Sequence, residues 1–470
     1  MAHLTTTSAD VVVIGGGCAG LAAAVRLSRA GRRVVVLEES PRLGGRATSF
    51  VDRETGERVD NGQHVLFGCY RDTYAFLRDV GAAELAPLQS RLRLRMADDR
   101  GRHAELACPA LPAPWHLLAG VLQWPALGVV DRLRVLRLGR VLRDVQRHGA
   151  AAVAARVPES QTVSAWLAAN GQSRALCDWL WHPLAFAALN QSPDTAAARP
   201  FVRVLGELFA PDPDAATIGL PIVPLDDLFG APARDLIEGA GGAVMLKTPA
   251  RIVVAADGTI AGVRAGAMTI ETPTVIGAVP WHAFARLWDA GVPAPLAGIA
   301  ATAAAMRPSP IVTVNLWLDG PVMATTFIGL VGGPMHWVFD KSAIFGERAG
   351  HLSVVASGAA DVAAMTNEDI TRAAMAQLRR ALPEIKRQRL LRSVVVREHR
   401  ATFSLAPGGP PRPGPATPLP GFYLAGDWTD TGLPATIEGA VLSGHRAAEL
   451  ALTILSVGAE SPTPPKWGVS

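Results

Sequence analysis

The sequence predicts an α/β fold of two lobes, a Rossmann-type dinucleotide-binding lobe with an α+β substrate lobe inserted into it. Three observations predict it. A short apolar run at 11–14 ends in glycines and is followed by an alanine- and leucine-rich helix and a second apolar run at 34–37. A second strand-turn-helix unit, 422–425 followed by 437–455, lies near the other end of the chain. Between them the text changes to long Ala/Leu/Arg stretches interrupted by Pro and Trp.

The first unit reads as strand, turn, helix, strand. Continuous apolar runs bounded by turn residues suit strands buried on both faces of a parallel sheet. Gly31 marks the helix end. From about 85 to 235 the pattern is mostly helical, with helices expected over 133–145, 162–169, 175–181 and 201–209. Strand patterns return at 244–254, 274–279, 311–318 and 352–357, with Asp257-Gly258 as a hairpin turn. An amphipathic helix is expected over 368–382 and a Pro/Gly-rich loop over 407–420. The expected division is therefore 1–85, 236–295 and 390–455 for the nucleotide-binding lobe, and 86–235 with 296–389 for the other. A disordered tail is expected from 456.

At 470 residues the chain is too long for one compact core. Its 49% hydrophobic and 18% charged residues are those of a globular protein. A net charge of +4 is too small to argue for nucleic acid. Only Lys247, Lys341, Lys386 and Lys466 are lysines, which leaves few candidates for Schiff-base chemistry. Cys18, Cys69, Cys108 and Cys177 form no C-x-x-C pair, so reduced thiols and no metal site are expected. The N-terminus lacks the basic and apolar regions of a signal peptide, and no uninterrupted apolar run reaches the ~20 residues of a membrane span. A cytoplasmic protein is expected. A peripheral membrane contact is expected through 111–143, where an interfacial helix over 111–130 carries Trp115 and Trp124 in an apolar stretch followed by Arg132, Arg134, Arg137, Arg140 and Arg143. A buried helix with a solvated arginine face is the competing reading.

Gly15-Gly16-Gly17-Cys18-Ala19-Gly20 fits G-x-G-x-x-G. Gly15 permits the turn, Gly17 lets backbone approach a pyrophosphate, and Gly20 lets helix and sheet pack closely. The helix N-terminus from Ala19 on offers free N–H groups to phosphate. Glu38 closes the second strand, where a carboxylate accepts from ribose hydroxyls. Arg42-Leu43-Gly44-Gly45-Arg46 supplies a second close-approach turn with two cations, a clamp that NAD-dependent dehydrogenases do not need. That turn points to FAD. Asp60-Asn61-Gly62-Gln63-His64 is a glycine-centred polar turn suited to approach a flat ring. Near the C-terminus, Gly426-Asp427 ends a strand where a carboxylate can bind ribityl hydroxyls. Thr436-Ile437-Glu438 then opens a helix whose dipole favours negative charge on a reduced flavin.

The spacing of these elements resembles the amine oxidase and phytoene desaturase flavoprotein superfamily, with a GR2-like FAD domain, over the whole chain. More narrowly, DNGQHVLFGCY (60–70), LAFAALNQ (184–191) and LAGDWTDTGLPATIEGA (424–440) resemble hydroxysqualene dehydroxylases of bacterial hopanoid biosynthesis. The resemblance implies removal of the hydroxyl of hydroxysqualene to give squalene, using reduced FAD. It also implies that Gly15, Gly17, Gly20 and Glu38 hold the ADP part, and that Arg42, Gly45 and Arg46 flank the pyrophosphate. Gly62, Gln63 and His64 would lie by the isoalloxazine, Asp427 on the ribityl chain, and 436–438 at the flavin edge. Amine oxidases often place a lysine by the flavin on a strand matched here by 310–317, which offers Thr313 instead. That departure argues against amine oxidation. With no cysteine in the C-terminal flavin segment, the resemblance also implies FAD held non-covalently.

Candidate acids for hydroxyl departure are His64 and Asp430. Trp179, Trp181, Phe186, Trp317 and Trp337 are candidates to line an apolar pocket, with ordinary core packing as the alternative for each. The rival functions are a carotenoid desaturase or isomerase, an oxidase of small amines, and a non-enzymatic prenyl-lipid carrier of the same fold. No second G-x-G-x-x-G unit is present for a nicotinamide donor, so the source of electrons is open.

Overall fold

A computed structural model describes residues 5–346 and 350–459. Val11–Ile14 and Val34–Leu37 are buried at every position and pair in parallel. They form the centre of a five-stranded parallel sheet in the order Ala243–Met245, Val34–Leu37, Val11–Ile14, Val275–Gly277, Phe422–Leu424. Side-chain alternation decides what each face packs against. Val11, Val13, Val34 and Val36 join a core with helices Cys18–Arg29 and Ile437–Ala459. Val12, Ile14, Val35 and Leu37 join a second core with the four-stranded sheet that carries the 250–271 hairpins. The two helices approach closely because Gly444 has no side chain: a Cβ there would lie 2.1 Å from the Ala19 carbonyl oxygen.

The second lobe is built on a seven-stranded mixed sheet. Its order is Leu390–Phe403, Pro308–Leu318, His351–Ser357, Trp337–Asp340, Phe327–Val331, Arg93–Asp98, His103–Ala107. Along Pro308–Leu318 the alternate residues Val312, Val314 and Leu316 pack against helix Asn367–Ala381. Ile311 faces the opposite way, towards Phe327, Phe339 and Val355. The helices between 115 and 208 form a separate core around Trp124, Trp166, Trp179, Trp181 and Phe201.

Four expectations change. Strand Leu390–Phe403 pairs with Pro308–Leu318 in the second lobe, so the chain returns to the cofactor lobe after 403 rather than at 390. The region 111–130 is not one helix: Trp115–Gln123 and Val129–Arg134 are separate, divided at Pro125, which has no N–H to continue the ladder. The helix expected over 133–145 begins in that second piece and resumes as Gly139–His148. Helix Ile437–Ala459 runs past the expected start of the tail at 456, and the rest of that tail, 460–470, lies outside the described residues.

Candidate FAD site and active site

A cavity of about 540 Å³ runs between the lobes. Its polar end is made by two glycine turns set backbone against backbone. Gly15 has φ +109°, and a Cβ there would meet the Ala278 oxygen at 2.4 Å. A Cβ on Gly20 would lie 1.9 Å from the Gly15 oxygen. The Gly44 N–H donates to the Gly16 oxygen at 2.8 Å, and a Cβ on Gly45 would come within 3.2 Å of the Gly17 Cα. Gly17 differs: its nearest neighbour to a Cβ is 3.9 Å away, because that direction opens into the cavity. Such a cradle, at the start of helix Cys18–Arg29, fits a pyrophosphate held by backbone N–H groups. Glu38 lines the same end and accepts from the Gly16 and Ser40 N–H groups, each at 2.7 Å. Burial raises its pKa while those two N–H groups lower it. Its remaining lone pairs are free for ribose hydroxyls.

Further along the cavity, the Arg46 guanidinium makes a two-pronged pair with Asp427, at 2.7 and 3.0 Å, and donates to the Ala401 oxygen at 2.6 Å. Gly62, Gln63, His64, Ala435, Thr436 and Ile437 line the cavity as well. Thr436 caps its helix by accepting from the Gly439 N–H at 3.1 Å. The residues present therefore fit FAD from its ribose to the flavin edge. Beyond the turn at Gly62 the lining becomes apolar: Phe67, Ile311, Phe327, Trp337, Phe339 and Val355. Phe327 stacks on Phe339 with ring centres 5.8 Å apart, and the two are directly opposite on paired strands.

Residues 18–452 match the sequence family of flavin-containing amine oxidoreductases. A hydroxysqualene dehydroxylase of Rhodopseudomonas palustris is 30% identical over 95% of this chain and 99% of its own. The chain belongs to the flavin-containing amine oxidoreductases, in the hydroxysqualene dehydroxylase group. It is also similar to a probable zeta-carotene desaturase of Synechococcus elongatus, at 25% identity over 96% of this chain and 100% of that one. A wild-type putrescine oxidase bound to putrescine shares the fold, with TM-score 0.71 at 18% identity over 96% and 100% of the two chains. As a member of this family the chain is an FAD-dependent oxidoreductase.

Within this flavoprotein the sequence-predicted residues divide. Gly15, Gly17, Ala19, Glu38, Gly45, Arg46, Gly62, Gln63, His64, Asp427, Thr436 and Ile437 all line the cavity. Gly20 lies behind it, as its packing role requires. Arg42 does not reach it: the side chain is exposed and only its backbone is engaged, with Ser40. Asp430 is also outside, exposed and paired with Arg412. Glu438 is turned away from the flavin edge. Its carboxylate accepts from the N–H groups of Asp72 and Thr73 and from the Thr73 hydroxyl, at 3.0, 2.9 and 2.7 Å. It caps helix Arg71–Asp79, whose own N-cap position, Tyr70, supplies no acceptor. Glu438→Ala should cost about 2 kcal/mol in urea unfolding, the penalty for stranding buried donors, with FAD content unchanged.

Of the five aromatic candidates, only Trp337 lines the cavity. Trp179 and Trp181 belong to the helical core, Phe186 stacks on His336, and Trp317 stacks on His351. Asn190 and Gln191 tie the helical part of the second lobe to its sheet. Asn190 holds a left-handed backbone (φ 50°), donates to Ser309 O and Thr402 Oγ1, and accepts from the Gly358 N–H. Gln191 accepts from the Leu405 N–H at 2.7 Å.

Burial holds the His64 pKa down to about 4, aided by Arg46 and Lys341 and opposed by Asp60. His64 is therefore neutral at pH 7 and offers a hydrogen bond rather than an imidazolium proton. Two residues escaped the sequence reading. Tyr70 lines the cavity with its hydroxyl beside Thr436, and burial pushes its pKa far above the ordinary value. Its place at the end of the 60–70 motif was the available signal. Lys341 is buried and meets Asp60 at 2.7 Å and Gln63 at 2.6 Å. Nothing local marks it, since its partners lie in a turn 278 and 281 residues away.

Proposed function

We propose that this enzyme reductively removes the hydroxyl of hydroxysqualene to give squalene. The observation that carries this reading is the continuity of the FAD cradle with an aromatic and aliphatic chamber at the Gly62 turn. An apolar chain can lie in that chamber with one carbon presented to the cofactor. The similarity to hydroxysqualene dehydroxylases supports the choice of lipid. Bound in its reduced form, FAD supplies the two electrons. The protein's own work is to bind the chain, exclude water and assist departure of the oxygen. The C–O bond breaks with its electron pair on oxygen, which takes a proton and leaves as water; the carbon takes an electron pair and a proton in its place. Hydroxide leaves poorly unless a donor neutralises it as it forms. Tyr70 and His64 both keep a proton at neutral pH and line the cavity, Tyr70 beside Thr436. They replace Asp430 as candidates for that role. The aromatic faces of Phe327, Trp337 and Phe339 would stabilise positive charge on the allylic carbon. The reading is tested by product analysis with hydroxysqualene and zeta-carotene offered separately. Squalene from the first and no dehydrogenated product from the second is expected; the reverse would make the enzyme a desaturase.

The substrate resides in membrane, and the surface offers a place to meet it. Six of the twelve large apolar side chains exposed among the described residues fall within 111–136, including Trp115 (61% exposed), Val129 (69%) and Val130 (67%). Arg134, Arg137, Arg140 and Arg143 are exposed beside them. Apolar side chains flanked by arginine suit an anionic lipid surface. Among the described residues no helix is long and apolar enough to cross a membrane. Replacing Val129, Val130 and Leu133 with serine should lower binding to anionic vesicles at least tenfold, since at ~0.8 kcal/mol per buried CH₂ two lost groups already suffice for that. Unchanged sedimentation with vesicles would remove this surface from the account.

A further inference from the structure

Lys341 is 1% exposed and Asp60 5%. A buried ion pair is costly to desolvate, and is retained where it fixes a geometry more readily than where it adds stability. Here the geometry is specific. Lys341 opens helix Lys341–Phe345, directly after strand Trp337–Asp340, whose Trp337 and Phe339 wall the apolar chamber. Its Nζ donates to Asp60 Oδ2 and to Gln63 Oε1. The other Asp60 oxygen accepts from the Ser49 hydroxyl and the Leu225 N–H, at 2.6 and 3.1 Å, so the carboxylate is itself held from three sides. An ammonium group can only donate. The Gln63 amide therefore cannot flip: its oxygen is committed to Lys341, and one N–H goes to the His64 carbonyl at 3.2 Å. What Gln63 keeps for the cavity is N–H, a donor.

We propose that Lys341 is a positioning residue for the cofactor, acting through Gln63. By committing the amide oxygen it makes the Gly62–His64 turn a hydrogen-bond donor surface, which favours the reduced, more electron-rich flavin over the oxidised one. It also ties that turn to the strand that walls the substrate chamber. This rests on FAD lying at the turn, and not on which lipid the enzyme reduces, so a failed squalene assay would leave it standing.

The test is anaerobic dye-equilibrium titration of the FAD-loaded Lys341→Met, Gln63→Met and double variants, with FAD content and melting temperature measured on the same samples. Each single variant should weaken the preference for reduced over oxidised FAD about tenfold, a fall of ~30 mV for a two-electron couple. The double variant should fall no further than the lower single, because the lysine acts through the amide. Gln63→Met leaves the Lys341–Asp60 pair in place, so it decides the matter even if Lys341→Met does not fold. An unchanged potential in Gln63→Met, or additive shifts in the double variant, would overturn the proposal.

Discussion

Gly17→Ala and Gly20→Ala should both lose FAD, for different reasons that one pair of measurements separates. At Gly20 the new methyl would stand 1.9 Å from the Gly15 oxygen and 3.1 Å from the Ala278 Cβ. Gly15 cannot yield, since its own left-handed turn is pressed against Ala278. Helix Cys18–Arg29 must then back away from the sheet, and its N-terminus leaves the phosphate position. Overpacking of this kind costs about 1–3 kcal/mol, so the apoprotein itself should melt several degrees lower. At Gly17 the backbone has φ −78° and ψ 177°, which alanine adopts readily, and the methyl enters open cavity. Apoprotein stability should change by less than about 0.5 kcal/mol while the pyrophosphate loses its place. Calorimetric FAD titration should show at least a tenfold loss in both variants. A Gly17→Ala protein that binds FAD normally would mean that the pyrophosphate does not lie over this glycine.

Tyr70→Phe is expected to lower squalene formation by about 100-fold or more, the usual contribution of a positioned proton donor. FAD content and the rate of flavin reduction should be unchanged, because the ring and its edge contact with Phe67 remain. A hydroxysqualene ester, whose carboxylate leaves without a proton, should be consumed by the variant at close to the wild-type rate. Equal losses on both substrates would assign Tyr70 to packing instead. His64 contributes no limb to kcat/KM between about pH 6 and 8, since burial has already removed its charge there; its protonation belongs near pH 4.

The cofactor lobe was legible because its signals are local. A buried strand, a glycine turn and a carboxylate at the next strand end lie within thirty residues, and the structure assembles them by backbone alone. What was illegible depends on contacts between distant segments. Arg46 was expected at the phosphates, yet it is also half of a pair with Asp427, 381 residues away. Glu438 sits in a flavin-edge motif but serves a helix start that lacks its own cap. Asp430 and Arg42 occupy motif positions whose side chains face solvent, because one turn residue can face the cavity while its neighbour cannot. Lys341 carries no motif at all. Within 111–143 a single helix was expected from counting apolar residues, and the break at Pro125 was announced by the proline itself.

The central claim is tested most directly by a single turnover. The FAD-loaded enzyme is reduced anaerobically, mixed with hydroxysqualene in detergent, and followed by flavin absorbance and mass spectrometry. One squalene formed for each flavin reoxidised is the expected result. Flavin that stays reduced, with hydroxysqualene recovered intact, would contradict it.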